Sequence, residues 1–591
     1  MENLKFNIEH QNPQSKERIA KAPYNFVQLP HKVVEAIQPP DHDKYDPELN
    51  TGYIDCLITT ETPMYIRGGM DPDFFRENAN TAFRGMDENQ KREMAKFFFT
   101  QDKNSPAIPG SSIRGMTRAL LEIASYGKVQ WVTNDKIGYR AVGDKSNLGK
   151  YYRDQINGQK EDSKKIKRQK TGYLSKDNGD WYIVPACQFQ LNGQKNDFLL
   201  VDDQKIDYSE ESKWKFGGKK VYFTNKDEEK YCGVCDIYIN PHSIKGKNKV
   251  TEVSFEPKEG YKRATLIVTG YIKGKKNHCI IGLPDEEAER VKIPDKVIQD
   301  YKAQMTNWQK ENVGNEGRGV LEEGYPVFYK QDWQTKEVVM IGHTLMFRFV
   351  YKTTPFDHIP SEVSNEGTKD MVDAIFGYAS NKDKDKKKDG YAGRVHFSDG
   401  VLLPGQKDIW LDDVFSPHVL ATPKPSTFQH YLTQQEPDNN KKLDHYDSPP
   451  PHDSPAAIRG HKLYWHKGNV GIGDIKADDN DVKDKSDQYT LIKPVRSGVR
   501  FKSRIYFENL RDEELGGLLW VLTLPNNCRH SLGMGKPYGM GAVKIETTLY
   551  KEDRIQRYKK LFDGDGWLQA VYKDTPEKYK DAFEEFILCN I

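Results

Sequence analysis

The sequence predicts an α+β fold in which helices cover one face of an antiparallel sheet, and three observations carry that expectation. Near the C-terminal end, V-R-F-K-S-R-I-Y-F (Val499–Phe507) alternates apolar and polar residues, D-E-E-L-G-G-L-L-W-V-L (Asp512–Leu522) has helical spacing, and A-V-K-I-E-T-T-L-Y (Ala542–Tyr550) alternates again. A second strand–helix pair lies upstream, from Y-I-D-C-L-I-T-T after Gly52 to the helix opened by P-G-S-S-I-R-G. No repeat with a period of roughly 20–50 residues is present, which argues against a solenoid.

Taken in order, residues 1–50 are rich in Pro, His and Gln, with A-P-Y-N-F-V-Q-L-P at Ala22–Pro30, and read as an extended arm. The first part of the core spans 51–145. Its strand after Gly52 ends at E-T-P-M-Y-I-R-G-G (Glu61–Gly69), and F-F-F-T (Phe97–Thr100) reads as a buried strand. In the helix that follows, Ile113, Met116, Leu120, Ile123 and Ala124 share one face, with Arg114 and Arg118 off it. Residues 146–330 change character, from the charge run Lys160–Lys170 to short β-like pieces at Trp181–Val184 and Ala264–Ile272, and read as a β-rich insertion closed by a helix near Pro294–Gln309.

The core resumes over 331–404, where Val338–Lys352 reads as a long strand returning to the main sheet. A short helix at Met371–Tyr378, a solvated charge run at Asn381–Asp389 and a strand in G-R-V-H-F-S-D-G (Gly393–Gly400) follow. A second insertion, 405–490, holds P-K-P-S-T-F, a Pro-rich stretch at Asp447–Pro455 and I-R-G-H-K-L-Y-W-H at Ile458–His466. The strand–helix–strand unit occupies 491–550, and a helical tail 551–591.

A chain of 591 residues exceeds one ordinary domain, so a few domains or one core with large insertions are expected. The 89 Lys and Arg against 87 Asp and Glu leave a net charge of +2, so any nucleic-acid site must be a local patch and not a polycationic coat. Seven scattered cysteines do not make a disulfide scaffold, and no signal-like or membrane-spanning apolar run is present. The expected location is the cytoplasm, with no membrane partner.

Three segments carry candidate chemistry. In P-G-S-S-I-R-G, Gly110 lets backbone approach a ligand, Ser111 and Ser112 can cap the helix, and its free N–H groups attract anions, with Arg114 and Arg118 one turn apart. Equally, one serine is an ordinary cap and the arginines are solvated. In H-S-L-G-M-G-K-P-Y-G-M-G (His530–Gly541), Gly533, Gly535, Gly539 and Gly541 bracket Lys536 and Tyr538, so amides and one lysine can wrap a polyanion; the alternative is a purely structural turn. The loop lacks the G-x-x-x-x-G-K-[ST] pattern and follows a helix, so no nucleotide cofactor is implied. The third set, Arg459, Lys462, Tyr464, Trp465, Arg496 and Arg500, pairs cations for phosphates with rings for unpaired bases, or is a strand with rings in the core and cations outside.

E-T-P-M-Y-I-R-G-G, I-P-G-S-S-I-R-G-M-T-R, F-G…A-G-R-V-H-F-S-D-G and L-G-M-G-K-P-Y-G-M-G-A-V stand in the order seen in the RAMP superfamily, whose members build type III CRISPR effector complexes. A-P-Y-N-F-V and R-G-H-K-L-Y-W-H further resemble its large, insertion-bearing proteins near the type III-D branch; the two insertions resemble the family least. The resemblance implies a ferredoxin-like, RRM-related core that grips guide RNA (crRNA) and positions target RNA, with other effector subunits as partners. Backbone contact suits a guide of variable sequence, because phosphates carry none.

The resemblance also implies that some members cut target RNA with an Asp in the loop before the P-G-S-S helix and a divalent ion such as Mg²⁺. Asp71, Asp73, Asp87 and Glu88 are the carboxylates on offer, with Asp87 and Asp71 leading. A noncleaving scaffold or capping subunit is the alternative, as is a metal-independent crRNA-processing endoribonuclease using a His with Tyr or Lys. His343, His396, His430 and His530 are available for that role but fall in no pairing. Outside the family, a generic polyanion binder is the rival reading. C-G-V-C (Cys232–Cys235) raises a structural zinc with Cys187, His242, His278 or Cys279, but no second C-x-x-C completes four ligands, and two buried thiols are the simpler reading.

Overall fold

The computed structural model describes residues 22–591 except 80, 82–84, 101, 103–104, 158–168, 192, 209–213, 223–228, 246–247, 269–275, 306–309, 311–318, 333, 365–366, 380–389, 421–424, 437–438, 440, 449–455, 485–487 and 566–569. Most of the charge run Lys160–Lys170, all of Asn381–Asp389 and most of the Pro-rich stretch Asp447–Pro455 therefore lie outside the described residues.

A main antiparallel sheet is built from β2 (Asn50–Thr60), β3 (Ala107–Ile108), β4 (Val395–Phe397), β5 (Gly400–Leu402), β7 (Arg500–Leu510), β8 (His530–Ser531), β9 (Ala542–Glu552) and β10 (Val571–Asp574). The strand order is β8-β9-β2-β7-β5-β3, with β4 also on β7 and β10 on β9. Strict alternation sorts the side chains. Ile54, Cys56 and Ile58 of β2, Phe501, Ile505 and Phe507 of β7, and Val543, Ile545 and Leu549 of β9 point inward. On that face lie α3 (Gly110–Ala124), α4 (Met371–Phe376), α5 (Asp512–Leu522) and α6 (Glu577–Asn590), contributing Ile113, Leu121, Leu515, Leu519, Tyr579 and Phe583. The deepest line of α3 is Ile113–Thr117–Leu121, a small rotation from the expected face, because Glu122 is also buried while Met116, Leu120 and Ala124 are half-buried.

Three local expectations change. Phe97–Thr100 is no strand: Phe97 is buried but makes only an isolated bridge to Arg67. Val338–Lys352 does not return to the main sheet. Val338–Gly342 pairs with Pro326–Gln331 in a five-stranded sheet that also holds Lys170–Asp177, Asp180–Pro185 and Val291–Lys292, and Phe349–Val350 pairs with Gly138–Tyr139. The apolar content was read correctly but its partner was not, since alternation says which face is buried and not against what. The tail is not only helical: β10 extends the main sheet before α6.

A further eight-stranded sheet takes Phe198–Asp202, Trp214–Tyr222, Glu229–Ile239, Lys262–Val268 and Asn277–Ile281, with three two-residue strands, around its own core of Leu199, Ile237, Leu266 and Ile280. The N-terminal arm is tied down. Its β1 (Tyr24–Val27) pairs antiparallel with β6 (His461–Tyr464), Tyr24 opposite Tyr464 and Phe26 opposite Lys462.

Candidate functional site

At the mouth of α3 the N-cap is Pro109, with no side-chain cap, so neither Ser111 nor Ser112 serves as the ordinary cap. The group that meets the helix is a carboxylate from a neighbouring strand turn: Gly110 N–H donates to Asp399 Oδ1 at 2.6 Å. A Cβ at Gly110 would stand 2.3 Å from the Phe397 carbonyl oxygen, so glycine is what lets the helix start against β4. The partial positive charge expected to draw phosphate is thus met from within. Arg114 donates to the Phe376 carbonyl at 2.9 Å and lies 5.1 Å over the Phe376 ring, and burial, then Arg118, lowers its pKa. Arg118 pairs with Glu122 at 3.3 Å and sits 5.6 Å from the centre of the exposed Trp131 ring.

The Gly-rich loop is built differently. Gly533, Gly535, Gly539 and Gly541 have φ of 82°, 74°, 91° and 79°, so the chain reverses within a few residues. The loop docks on the segment after β2: Met534 N–H donates to Tyr65 O and Gly541 N–H to Pro63 O, both at 2.8 Å. Tyr538, Gly539 and Met540 amides bond back within the loop. Amides expected to wrap a polyanion are therefore largely spent on holding the turn. What the turn presents outward is Lys536 beside the exposed Met534.

There the loop meets the arm. A cavity of about 840 Å³ is lined by Tyr24, His430, Tyr431, Lys462, Tyr464 and Lys536 among others. Lys462 Nζ lies 4.9 Å from the Tyr24 ring centre and 5.3 Å from that of Tyr464. Tyr24 OH donates to Tyr431 OH at 3.4 Å, and the two rings stack at 6.4 Å. Burial, and next the Lys462 charge, lowers the Lys536 pKa, so the two ammonium groups feel each other. Burial, then Arg459, lowers that of His430 and favours its neutral form. Two cations that repel and are partly desolvated, between flat rings, are arranged to gain from an anion that brings its own π-surface.

Of the residues singled out in the sequence, Lys462, Tyr464, Gly533, Gly535 and Lys536 share this cavity. Gly539 and Tyr538 belong to its supporting turn, Tyr538 donating to the His418 carbonyl. Arg459 is buried beneath, 5.5 Å from the centre of the Phe26 ring. Arg500 lies exposed on β7, at the end of the sheet nearest the loop. The helix reaches the same ribbon from behind. His461 Nδ1 is 3.7 Å from Glu122, whose pKa burial raises to about 7, while Lys462, the next residue on β6, points the other way into the cavity. The C-terminal end of α3 and the loop thus approach opposite faces of β6, and Gly110–Arg118 does not line the Lys462–Lys536 cavity. His430, one of the histidines named in the sequence, also lines it, whereas Tyr24 and Tyr431 were missed as site residues. The alternation Y-N-F in the arm was the available signal, but nothing in it names β6 as its partner.

Asp71 and Asp87 are helix caps, and Asp73 and Glu88 are paired within the turns they open. Asp71 Oδ1 accepts the Asp73 N–H that opens α1 (Pro72–Asn78), and Asp73 pairs with Arg76 at 3.0 Å. Asp87 forms a capping box with Gln90 at the start of α2 (Glu88–Met94), and Glu88 pairs with Lys91 at 3.1 Å. Gln90 donates to Asn78 Oδ1 at 2.8 Å, so the Asp87 capping box meets α1 at the end away from Asp71. As placed they do not form a ligand set for a divalent ion, and among the described residues no group of three His, Cys, Asp or Glu does. Cys235 and Cys279 lie on strands separated by a third, and the register puts Cys235 in line with Ile280, so Cys279 faces the opposite side. The Cys232 side chain lies outside the described residues. His530 is buried and bonded to the Val521 carbonyl at 2.8 Å.

The family model of the RAMP superfamily matches residues 57–544, from β2 to the first residues of β9. The chain belongs to the RAMP superfamily. The end of β2, α3, the β7–α5 pair and the Gly-rich loop fall inside the RAMP match, whereas the arm strand β1 precedes it and α6 follows it. The crystal structure of Csc2 from Thermofilum pendens is similar at 14% identity and a TM-score of 0.15, covering 37% of this chain and 55% of that one, so the chain spans about half its length. No curated protein matches the chain. Among the described residues no helix is long and apolar enough to cross a membrane.

Proposed function

We propose that this RAMP protein is a crRNA-binding subunit of a type III CRISPR effector complex, near the type III-D branch, and that the Lys462–Lys536 cavity holds the guide backbone. The single observation that carries the reading is the convergence of Lys462 and Lys536, from distant segments, on one cavity lined by Tyr24 and Tyr464, with Lys462 beside both rings. The order β9-β2-β7-β5, with α3 after β2 and α5 after β7, supports a ferredoxin-like core; the separate sheets within 170–342 support an insertion there. Ammonium contacts to phosphate suit a guide whose sequence varies. The test is RNA retention by the purified chain: Lys462→Ala with Lys536→Ala strips co-purifying RNA of uniform length and makes the salt dependence of binding shallower. Equal retention and slope would end the proposal, and equal binding of heparin and RNA would leave a generic polyanion site.

One observation favours a second reading. His430, kept neutral, lines the same cavity as Tyr24, Tyr431 and both lysines, the residue types a metal-independent crRNA-processing endoribonuclease uses as acid, base and charge stabiliser. Cleavage of repeat RNA in EDTA, lost in His430→Ala with RNA binding kept, separates this reading from binding alone.

A further inference from the structure

The outward face of the main sheet carries a second constellation that the cavity does not use. In one register row across four strands stand His396 of β4, Tyr506 of β7, Tyr53 of β2 and Tyr550 of β9. Tyr53 stacks on Tyr550 with centroids 4.9 Å apart and planes 24° off parallel, and lies 6.2 Å from Tyr506, which is 46% exposed. Among the described residues no helix of the core covers this side, since α3, α4, α5 and α6 pack on the other.

From the aromatic row toward the loop end of that face, cations are in excess. In the aromatic row and the three rows beyond it the outward cations are Lys573, Arg504, Lys502, Arg500 and Lys544, against the carboxylates of Asp55 and Glu546. Both carboxylates are already answered: Asp55 accepts from Arg504 Nε and Nη2 at 2.6 and 3.1 Å with Lys502 at 3.5 Å, and Glu546 pairs with Lys544 at 3.1 Å. Burial alone raises the Asp55 pKa, but Arg504 and Lys502 bring it below the ordinary value, so the carboxylate stays ionised and pins Arg504 flat, 3.8 Å from the Tyr53 ring centre. A ladder meant only to stiffen a sheet needs neither an exposed terminal ring nor surplus cations.

We propose that this open face is a stacking platform for an unpaired ribonucleotide strand, separate from the cavity. The exposed Tyr506 ring, held by the Arg504-braced Tyr53–Tyr550 stack beside it, receives a base, while Lys502, Arg500 and Lys544 take the phosphates toward the end of the sheet where the Gly-rich loop joins it. The proposal rests on the reading of the chain as an RNA binder, but not on which residues line the cavity.

The test is binding of a labelled oligouridylate to the full chain, with duplex RNA as competitor and photo-crosslinks from 4-thiouridine mapped to peptides. Tyr506→Ala is expected to weaken binding about tenfold and Tyr506→Phe less than twofold, at unchanged melting temperature. Arg500→Ala and Lys502→Ala are each expected to lower the salt slope by roughly one, with crosslinks on the Tyr53 or Tyr506 peptide. These losses persist in the Lys462→Ala/Lys536→Ala background, so failure of the cavity reading leaves a different signature. Wild-type affinity in Tyr506→Ala and Lys502→Ala, crosslinks confined to cavity peptides, equal competition by duplex RNA, or coverage of the face by a neighbouring protein without RNA crosslinks would each overturn the platform.

Discussion

At Gly110 a glycine-opened turn brings helix amides against Asp399, and the cations that follow are spent on Phe376 and Glu122; at Gly533–Gly541 a second such turn leaves Lys536 facing Lys462 across a cavity. Both stretches read alike in the sequence, as glycines beside cations. They differ in who answers the charge. At the helix, positive ends meet oxygens of the same chain, and the result is an anchor; at the loop, like charges meet each other and the balance is left to something outside.

The comparison breaks most completely if the loop is merely a tolerant turn. Gly541→Ala places a Cβ 1.8 Å from the Leu532 carbonyl oxygen at a φ that side chains disfavour, and should cost on the order of 3 kcal/mol or more in urea unfolding, with loss of RNA retention. Next in size, Lys462→Ala with Lys536→Ala should weaken RNA binding roughly 10- to 30-fold at moderate salt without lowering the melting temperature, read by filter binding across a salt series. Asp399→Ala sharpens the contrast from the other side: about 1–2 kcal/mol of stability lost through the α3 anchor, with RNA affinity within about twofold.

The smallest effect is a pH dependence. Burial and Lys462 lower the Lys536 pKa in the folded chain below its unfolded value, so folding binds fewer protons there. Stability of the RNA-free chain should rise as pH climbs through that lowered pKa, toward the ordinary lysine range near ~10.4, and RNA affinity should fall over the same window. Lys536→Met should flatten both curves; a wild-type-like slope in that variant would show that the ammonium groups do not govern the cavity.

Much of the main sheet was legible because its strands alternate against a single core. β2, β7, α5 and β9 lie within a few residues of where period-2 and helical spacing put them. The strand in Val338–Gly342 was equally visible, yet its sheet was not, since pairing is a contact between distant segments. The same limit hid half the cavity. Lys462, Tyr464, Lys536 and His430 stand out as types, but Tyr24 joins them only because β1 folds onto β6, and His430 and Tyr431 only because their turn packs against Tyr24. The carboxylates Asp71 and Asp87 show the converse: each looks available in a polar loop, and each is a helix cap once its neighbours take helical dihedrals.

By itself the sequence determined the strand and helix periods, the glycines that permit two sharp reversals, the absence of a general positive coat, and an order of motifs similar to one superfamily. Only the tertiary structure decided which cations remain unanswered, because that depends on whether a carboxylate or carbonyl from elsewhere in the chain arrives within about 3 Å. Local pattern fixes the direction in which a side chain points; long-range pairing fixes what it meets.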